Sequence, residues 1–284
     1  MPKTALHKIT VVLILIIVPA CGTNLPGSNQ ARTLSIMTWN VESGDVEVDV
    51  IAAQLAAFED VDLWGLTEVN ARDADAFEAG VEMDESADFE SIIGTTGGED
   101  RLLILYDTER FEVIEYFEIE AIGFHRVRDP LVAQLRDNES GQAFLFMVNH
   151  LWRSDRERRH EQVIMLNDWA EEQTLPIIAI GDYNFDYDVE RGDEGIRDDG
   201  FDLLLEDDVF EWLRPEEIVA TQCTPSDRGR CVFNSVLDFI FVAGDAKNWN
   251  GTSEIIVRDG DFPDTEISSD HRPIFAQFSL PTSN

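Results

Sequence analysis

The sequence predicts an α+β sandwich with helices on its outside. Three observations carry that expectation. Strand-like runs outnumber helical ones, short turns join several of them, and 44% of the 284 residues are apolar, enough for a large core. A doubly wound parallel sheet would need a helix between most successive strands, and few helical patterns lie between these runs.

The first residues read separately. Lys3 and Lys8 flank a short n-region, Ile9 to Val18 is a ten-residue apolar run, and Val18-Pro19-Ala20-Cys21 follows. Ten apolar residues fall short of about 30 Å of hydrocarbon, so residues 1–20 read as a secretory signal rather than a membrane span. Cys21 stands where a bacterial lipobox places the lipidated first residue. The expectation is an exported chain anchored at the cell envelope, with residues 21–32 as a tether and residues 33–284 as the domain; it would be secreted if Cys21 is not lipidated.

Within the domain, Leu34 to Trp39 alternates and stops at Asn40, a strand with a polar tip. Val48, Ile51, Leu55 and Phe58 recur at helical spacing. Leu63 to Thr67 is a buried strand running into Glu68. Arg101 to Tyr106 and Phe111 to Ile119 read as one hairpin. Leu131 to Leu135 and Ala143 to Val148 read as another, ending at Asn149-His150. Glu157 to Glu171 is a helix, Pro176 to Ile180 a buried strand ending at Gly181-Asp182, and Val236 to Val242 a strand with Asp238 inside it. Pro273 to Leu280 alternates as the last strand, and no repeat or composition shift divides the domain. Cys223 and Cys231 bracket a turn, and in an exported chain that spacing predicts a disulfide worth roughly 2–3 kcal/mol; two free thiols are the alternative.

Formal net charge is −36, and loss of Lys3 and Lys8 with the signal takes it to −38, leaving Lys247 as the sole lysine. Such self-repulsion is tolerable where salt screens it, which points to a saline setting. It also argues against broad clamping of nucleic acid by a basic face, though not against a small cationic cleft.

The chemistry-bearing pattern is an apolar strand that stops at a metal-type or acid–base residue. It occurs at Asn40, Glu68, His150, Asp182 with Asn184, and Asp270-His271. Rigid strand ends are suited to holding a site in register. Taken singly, Asn40 reads equally as a turn residue, Glu68 as a solvated carboxylate and His150 as a core histidine. Gly181-Asp182-Tyr-Asn184 is sharper, because two oxygen donors at alternate positions suit a hard cation or a phosphate. A calcium loop competes, since Asp186 and Asp188 continue the alternation, but Tyr187 stands where an EF-hand turn needs glycine. Asp238 in an apolar strand needs a cationic or donor partner, which Ser269-Asp270-His271 offers.

Six strings, in order, resemble the endonuclease/exonuclease/phosphatase superfamily, which includes deoxyribonuclease I. They are Met37-Thr-Trp-Asn40, Leu66-Thr-Glu68-Val69, Val148-Asn-His150-Leu151, Ile180-Gly-Asp182-Tyr-Asn184-Phe-Asp186, Leu237-Asp238-Phe-Ile-Phe241 and Ser268-Ser-Asp270-His271-Arg-Pro273. The resemblance implies a deoxyribonuclease I-like four-layer α/β sandwich, two packed, mainly antiparallel sheets flanked by helices. It implies Glu68 as the principal Mg²⁺ ligand, with Asn40 and Asp270 beside it; Mn²⁺ and Ca²⁺ are the other candidate ions. It also implies His271 held by Asp238, Asn184 donating to phosphate, and His150 binding or protonating the departing phosphate. Asp182 and His271 both remain candidates for activating water. Arg153, Arg101 and Arg128 are weaker phosphate candidates, each with a salt-bridged alternative. The run Arg153, Arg156, Arg158 and Arg159 reads equally as a phosphate patch and as a helical face paired to acids.

The activity so implied is metal-dependent phosphoester hydrolysis, with DNA or RNA as the favoured substrate and no obligate protein partner. A sphingomyelinase-like lipid phosphodiesterase or an inositol-phosphate phosphatase is the alternative, and a non-catalytic binding lipoprotein is the alternative of another class.

Overall fold

Alternation along the strands decides which wall each residue joins, because successive side chains point to opposite faces. In β1 (Thr33–Asn40), Leu34 and Ile36 face one apolar cluster while Met37 and Trp39 face another. In β4 (Arg101–Asp107), Leu102, Ile104 and Tyr106 join the first cluster and Leu103 and Leu105 the second. Such strands need cover on both faces. One face meets a second sheet; the other meets helices.

The structure is a computed structural model and describes residues 33–44, 46–83, 87–223, 234–258 and 267–281. The signal, Cys21 and the tether lie outside the described residues, as does Cys231, so the disulfide pairing falls outside them too. Among the described residues no helix is long and apolar enough to cross a membrane.

Two six-stranded sheets form the sandwich. The first contains β1, β2 (Leu63–Val69), β3 (Phe89–Ile93), β4, β11 (Thr252–Ile255) and β12 (Ile274–Ser279), in the order β11-β12-β1-β2-β4-β3. The second contains β5 (Phe111–Glu118), β6 (Leu131–Asp137), β7 (Ala143–His150), β8 (Ile177–Asp188), β9 (Phe210–Trp212) and β10 (Ser235–Ala243), in the order β5-β6-β7-β8-β10-β9. Each sheet is mixed: β1/β2 and β7/β8 run parallel and the other pairs antiparallel. Helices α1 (Val48–Leu55) and α2 (Ala74–Glu82) cover the first sheet through Ile51, Leu55, Phe77 and Val81. Helices α3 (Arg156–Glu171) and α4 (Asp199–Leu204) bring Val163, Leu166, Phe201 and Leu204 into the larger cluster.

Gly65 lets the sheets approach at the centre. A Cβ there would sit 2.4 Å from Ile180 Cδ1 and 2.7 Å from Val148 Cγ2, so β2 packs directly against β7 and β8.

One expected pairing is corrected. Arg101–Tyr106 and Phe111–Ile119 do not form a hairpin: β4 pairs with β2 and β3, and β5 pairs with β6 in the other sheet. The short connection is a corner between sheets. Arg110 holds it, since its buried guanidinium donates to Asp137 at 3.0 Å and pairs with Asp62. Helices α2 and α4 and strands β3, β9 and β11 were not foreseen.

Candidate active site

Strand register assembles the site at one end of the sandwich. Parallel pairing of β7 with β8 sets His150 beside Asp182, and antiparallel pairing of β8 with β10 sets Asp182 beside Asp238. In the facing sheet, β1 and β2 bring Asn40 next to Thr67, one residue before Glu68. Glu68 follows a break in the β2–β4 register and has φ +58°, an irregularity that re-aims its side chain. Gly181, at φ +128°, is required by close approach as well, because a Cβ there would lie 1.9 Å from the Asn149 carbonyl oxygen.

The two sheets meet through Asn40. Its Nδ2 donates to Glu68 Oε1 at 3.0 Å and to Asp182 Oδ2 at 3.2 Å, and its Oδ1 accepts from the Glu42 amide. His150 lies among three carboxylates: Nε2 is 3.4 Å from Asp182 Oδ2 and 3.7 Å from Glu68 Oε1, and Nδ1 is 3.7 Å from Asp100 Oδ1. Asn184, also at positive φ, donates its backbone N–H to Asp182 Oδ1 at 3.0 Å. Its side-chain Nδ2 donates to the Leu151 carbonyl at 3.3 Å.

His271 Nδ1 is 2.8 Å from Asp238 Oδ2, both buried, and Nε2 lies 4.0 Å from Asp182 Oδ2 and 3.6 Å from Asp270 Oδ1. Burial opposes the charged imidazole, but Asp238, with Asp182 and Asp270, outweighs it and pushes His271 up to about 10. The turn carrying His271 is pinned to β1: Trp39 Nε1 donates to the His271 carbonyl at 2.9 Å, and Ser269 Oγ donates to the Asn40 carbonyl at 2.6 Å.

Ligand atoms of Glu68, His150 and Asp182 lie within 4.8 Å of one another, as do those of Asp182, Asp238 and His271. The first group fits a divalent cation. Two carboxylates share a neutral amide from Asn40 with no arginine bonded to either among the described residues, and an oxygen-rich set of this size suits a hard ion that keeps several waters. The second group is internally matched by the Asp238–His271 pair. Asp270 belongs to neither group; its Oδ2 accepts from Gln222 Nε2 at 2.5 Å.

The arginine candidates separate. Arg128 is buried beneath His150, donating Nε–H to its carbonyl at 3.0 Å and pairing with Asp100. Arg101 turns to loop carbonyls, Gly98 at 2.8 Å and Gly94 at 3.2 Å. Arg156, Arg158 and Arg159 pair with Asp199, Glu161 and Asp198. Arg153 lines two cavities flanking the site.

Sequence reasoning missed Asp100, Glu42 and Gln222. Asp100 immediately precedes a strand instead of ending one, yet β4 runs antiparallel to β2, so the start of β4 lies at the same sheet end as Glu68. Burial opposes its charge, but His150 and Arg128 hold the carboxyl below the usual range.

Against known proteins, the model of the Endonuclease/Exonuclease/phosphatase family matches residues 37–271. The chain belongs to that family. It is thus a phosphoesterase-family protein, and the matched span runs from the middle of β1 to His271. Solved structures share the fold at low identity. D. rerio TDP2 complexed with a single-strand DNA product is 19% identical over 87% of this chain and 99% of that one, at TM-score 0.64. A Bacteroides thetaiotaomicron mannosyl-6-phosphatase is 18% identical over 86% and 98%, at TM-score 0.61. A family protein from Bacteroides vulgatus is 16% identical over 88% and 99%, at TM-score 0.64. No curated protein matches the chain.

Proposed function

We propose that this chain is a divalent-metal-dependent phosphoester hydrolase that splits its substrate by in-line attack of water. One observation carries the reading: Glu68, Asp182, Asn40 and His150 converge at one end of the sandwich beside the Asp238–His271 pair.

Glu68 would hold the ion, with Mg²⁺ the first choice and Mn²⁺ or Ca²⁺ the others; Asn40 orients Glu68 and Asp182 alike. When bound, the ion neutralises charge that develops on the phosphate. Asp238 occupies Nδ1 of His271, so His271 presents Nε2 to the cleft. An imidazole pushed up to about 10 already carries its proton at neutral pH. His271 therefore donates from Nε2 to a phosphate oxygen, and Asp182 accepts the proton of the attacking water. Asn184 sits on the same carboxylate and can turn its amide to phosphate, while His150, between Asp182 and Glu68, binds a phosphate oxygen. Asp270 orients Gln222 and the His271 turn.

The nucleic-acid substrate favoured by the sequence gains support from the DNA product bound to D. rerio TDP2, and a phosphatase reading gains equal support from the Bacteroides enzyme. Arginine pairing weighs toward a compact phosphoester, because Arg128, Arg156, Arg158 and Arg159 are committed to acids. From sequence alone, residues 1–20 are proposed as an export signal, Cys21 as the lipid anchor and Cys223–Cys231 as a disulfide.

The test is hydrolysis of p-nitrophenyl phosphate, bis-p-nitrophenyl phosphate and DNA with and without Mg²⁺. His271→Ala should cost about 10²–10⁴-fold in kcat, and Glu68→Gln should weaken Mg²⁺ binding measured by calorimetry. Wild-type turnover in His271→Ala would sink the site assignment.

A further inference from the structure

A cavity of about 330 Å³ opens beside the site, lined by Arg153, Ser154, Asn184, Asp186, Gln222 and Ser235. It adjoins the reacting centre through two residues. Asn184 donates its backbone N–H to Asp182, and Gln222 donates its side-chain amide to Asp270. A group filling the cavity is therefore close enough to be the alcohol esterified to the reacting phosphate.

The lining states what that alcohol is like. Arg153 forms no ion pair among the described residues, and Asp186 sets one negative charge in the same wall. A second phosphate there would meet that carboxylate. Two hydroxyls, two amides, a carboxylate and a guanidinium instead offer interspersed donors and acceptors, the pattern that pairs with several hydroxyl groups. Among the described residues the lining has no aromatic face on which a base could stack, and Leu237 is its one apolar side chain, too little for an acyl tail. The volume is at the small end of ligand pockets, which run roughly 300–1,000 Å³. On the other side, the cavity with Trp152 is walled by Glu68 and Asp100, and its Arg128 is taken by Asp100. A run of backbone phosphates would thus meet Asp186 on one side and Glu68 and Asp100 on the other, with Arg153, which lines both cavities, the one cation unpaired among their described residues and enough for a single phosphoryl group.

We propose that this cavity binds an uncharged, hydroxyl-rich leaving group, so that the substrate is a compact polyol phosphate with one phosphoryl group, such as a sugar phosphate. The proposal rests on the phosphoester reading above. Water oxygen bonds to phosphorus, the bond from phosphorus to the sugar oxygen breaks, and that oxygen takes a proton, releasing phosphate and the free polyol. Asp186 and Ser154 then act as specificity residues through the sugar hydroxyls.

The test compares kcat/KM of the full chain with Mg²⁺ or Mn²⁺ on glucose 6-phosphate, p-nitrophenyl phosphate and a single-stranded oligonucleotide. Glucose 6-phosphate should exceed the oligonucleotide by about tenfold or more. Asp186→Asn, which suits the positive φ of 46° at that residue, and Ser154→Ala should each lower the ratio of glucose 6-phosphate to p-nitrophenyl phosphate by about fivefold. Preference for the oligonucleotide, or a ratio unmoved in both variants, overturns the proposal while leaving phosphoester hydrolysis standing. Absence of turnover on all three substrates overturns both readings together.

Discussion

Asp238 and His271 are buried side by side, and their pairing couples folding to pH. Burial pushes the Asp238 carboxyl up, while Asp238, Asp182 and Asp270 push His271 up against the burial that opposes its charge. An unfolded histidine titrates near about 6.5, whereas the folded one titrates at about 10. Between those values the folded chain keeps a proton that the unfolded chain has lost. The pair's contribution is thus full below pH ~6.5 and disappears as pH rises through the folded value. Urea midpoints measured from pH 6 to 10 in metal-free buffer should fall steadily in the wild type and much less in Asp238→Asn. Equal slopes would mean that the proton is not held by this pair.

At the scale of elements, Asp198 joins two helices. It accepts from Arg159 at 2.7 Å, lies 2.8 Å from His160 Nε2 and caps α4 through the Gly200 amide at 2.8 Å. Burial opposes its charge, but Arg159, Gly200 and His160 hold the carboxyl below the usual range. Its stabilisation is present above an unfolded pKa near about 3.9 and is lost as pH falls through the lower folded value. Asp198→Ala strands the buried Arg159 charge and should cost about 3–5 kcal/mol, read by denaturant melts at pH 7. The difference from wild type should shrink below pH ~4.

This element also shows where the sequence stopped being legible. Arg156, Arg158 and Arg159 read equally as a phosphate patch; Arg158 pairs locally with Glu161, but Asp199 and Asp198, the partners of Arg156 and Arg159, lie some forty residues away at the start of α4, a helix with no clear periodic signal. The Arg110 corner failed for the same reason: a three-residue connection has the length of a hairpin loop, and the contacts to Asp62 and Asp137 that make it a sheet crossing are long-range. These positions were legible because an apolar run stops there at a polar side chain, although burial continues through Asn40, His150, Asp182 and Asn184. Asn40, Glu68 and His150 could be picked out as polar tips and Asp182 and Asn184 as the polar end of an apolar run, although β8 does not stop there but continues to Asp188; the structure gathers all five together. Asp100 could not, because it precedes its strand, and strand direction is set by pairing rather than by local pattern.

For the whole molecule, charge is the dominant unspent term. Formal net charge is −36 with 21 basic residues against 57 acidic ones, and the buried and half-buried arginines already sit in ion pairs or on carbonyl groups. The remaining carboxylates repel across a surface that folding makes more crowded than the open chain. Salt relieves this through screening, whose length contracts from about 10 Å at 0.1 M to about 3 Å at 1 M. Melting temperature should therefore rise with NaCl, by about 2–4 °C for each kcal/mol of repulsion removed. Most of the gain should arrive below about 0.5 M, where the screening length shrinks to the spacing between neighbouring surface charges. A general strengthening of apolar burial would instead continue at a constant slope into high salt. Scanning calorimetry at neutral pH across that range separates the two shapes, and a melting temperature that falls with added NaCl would show that charge repulsion does not limit this fold.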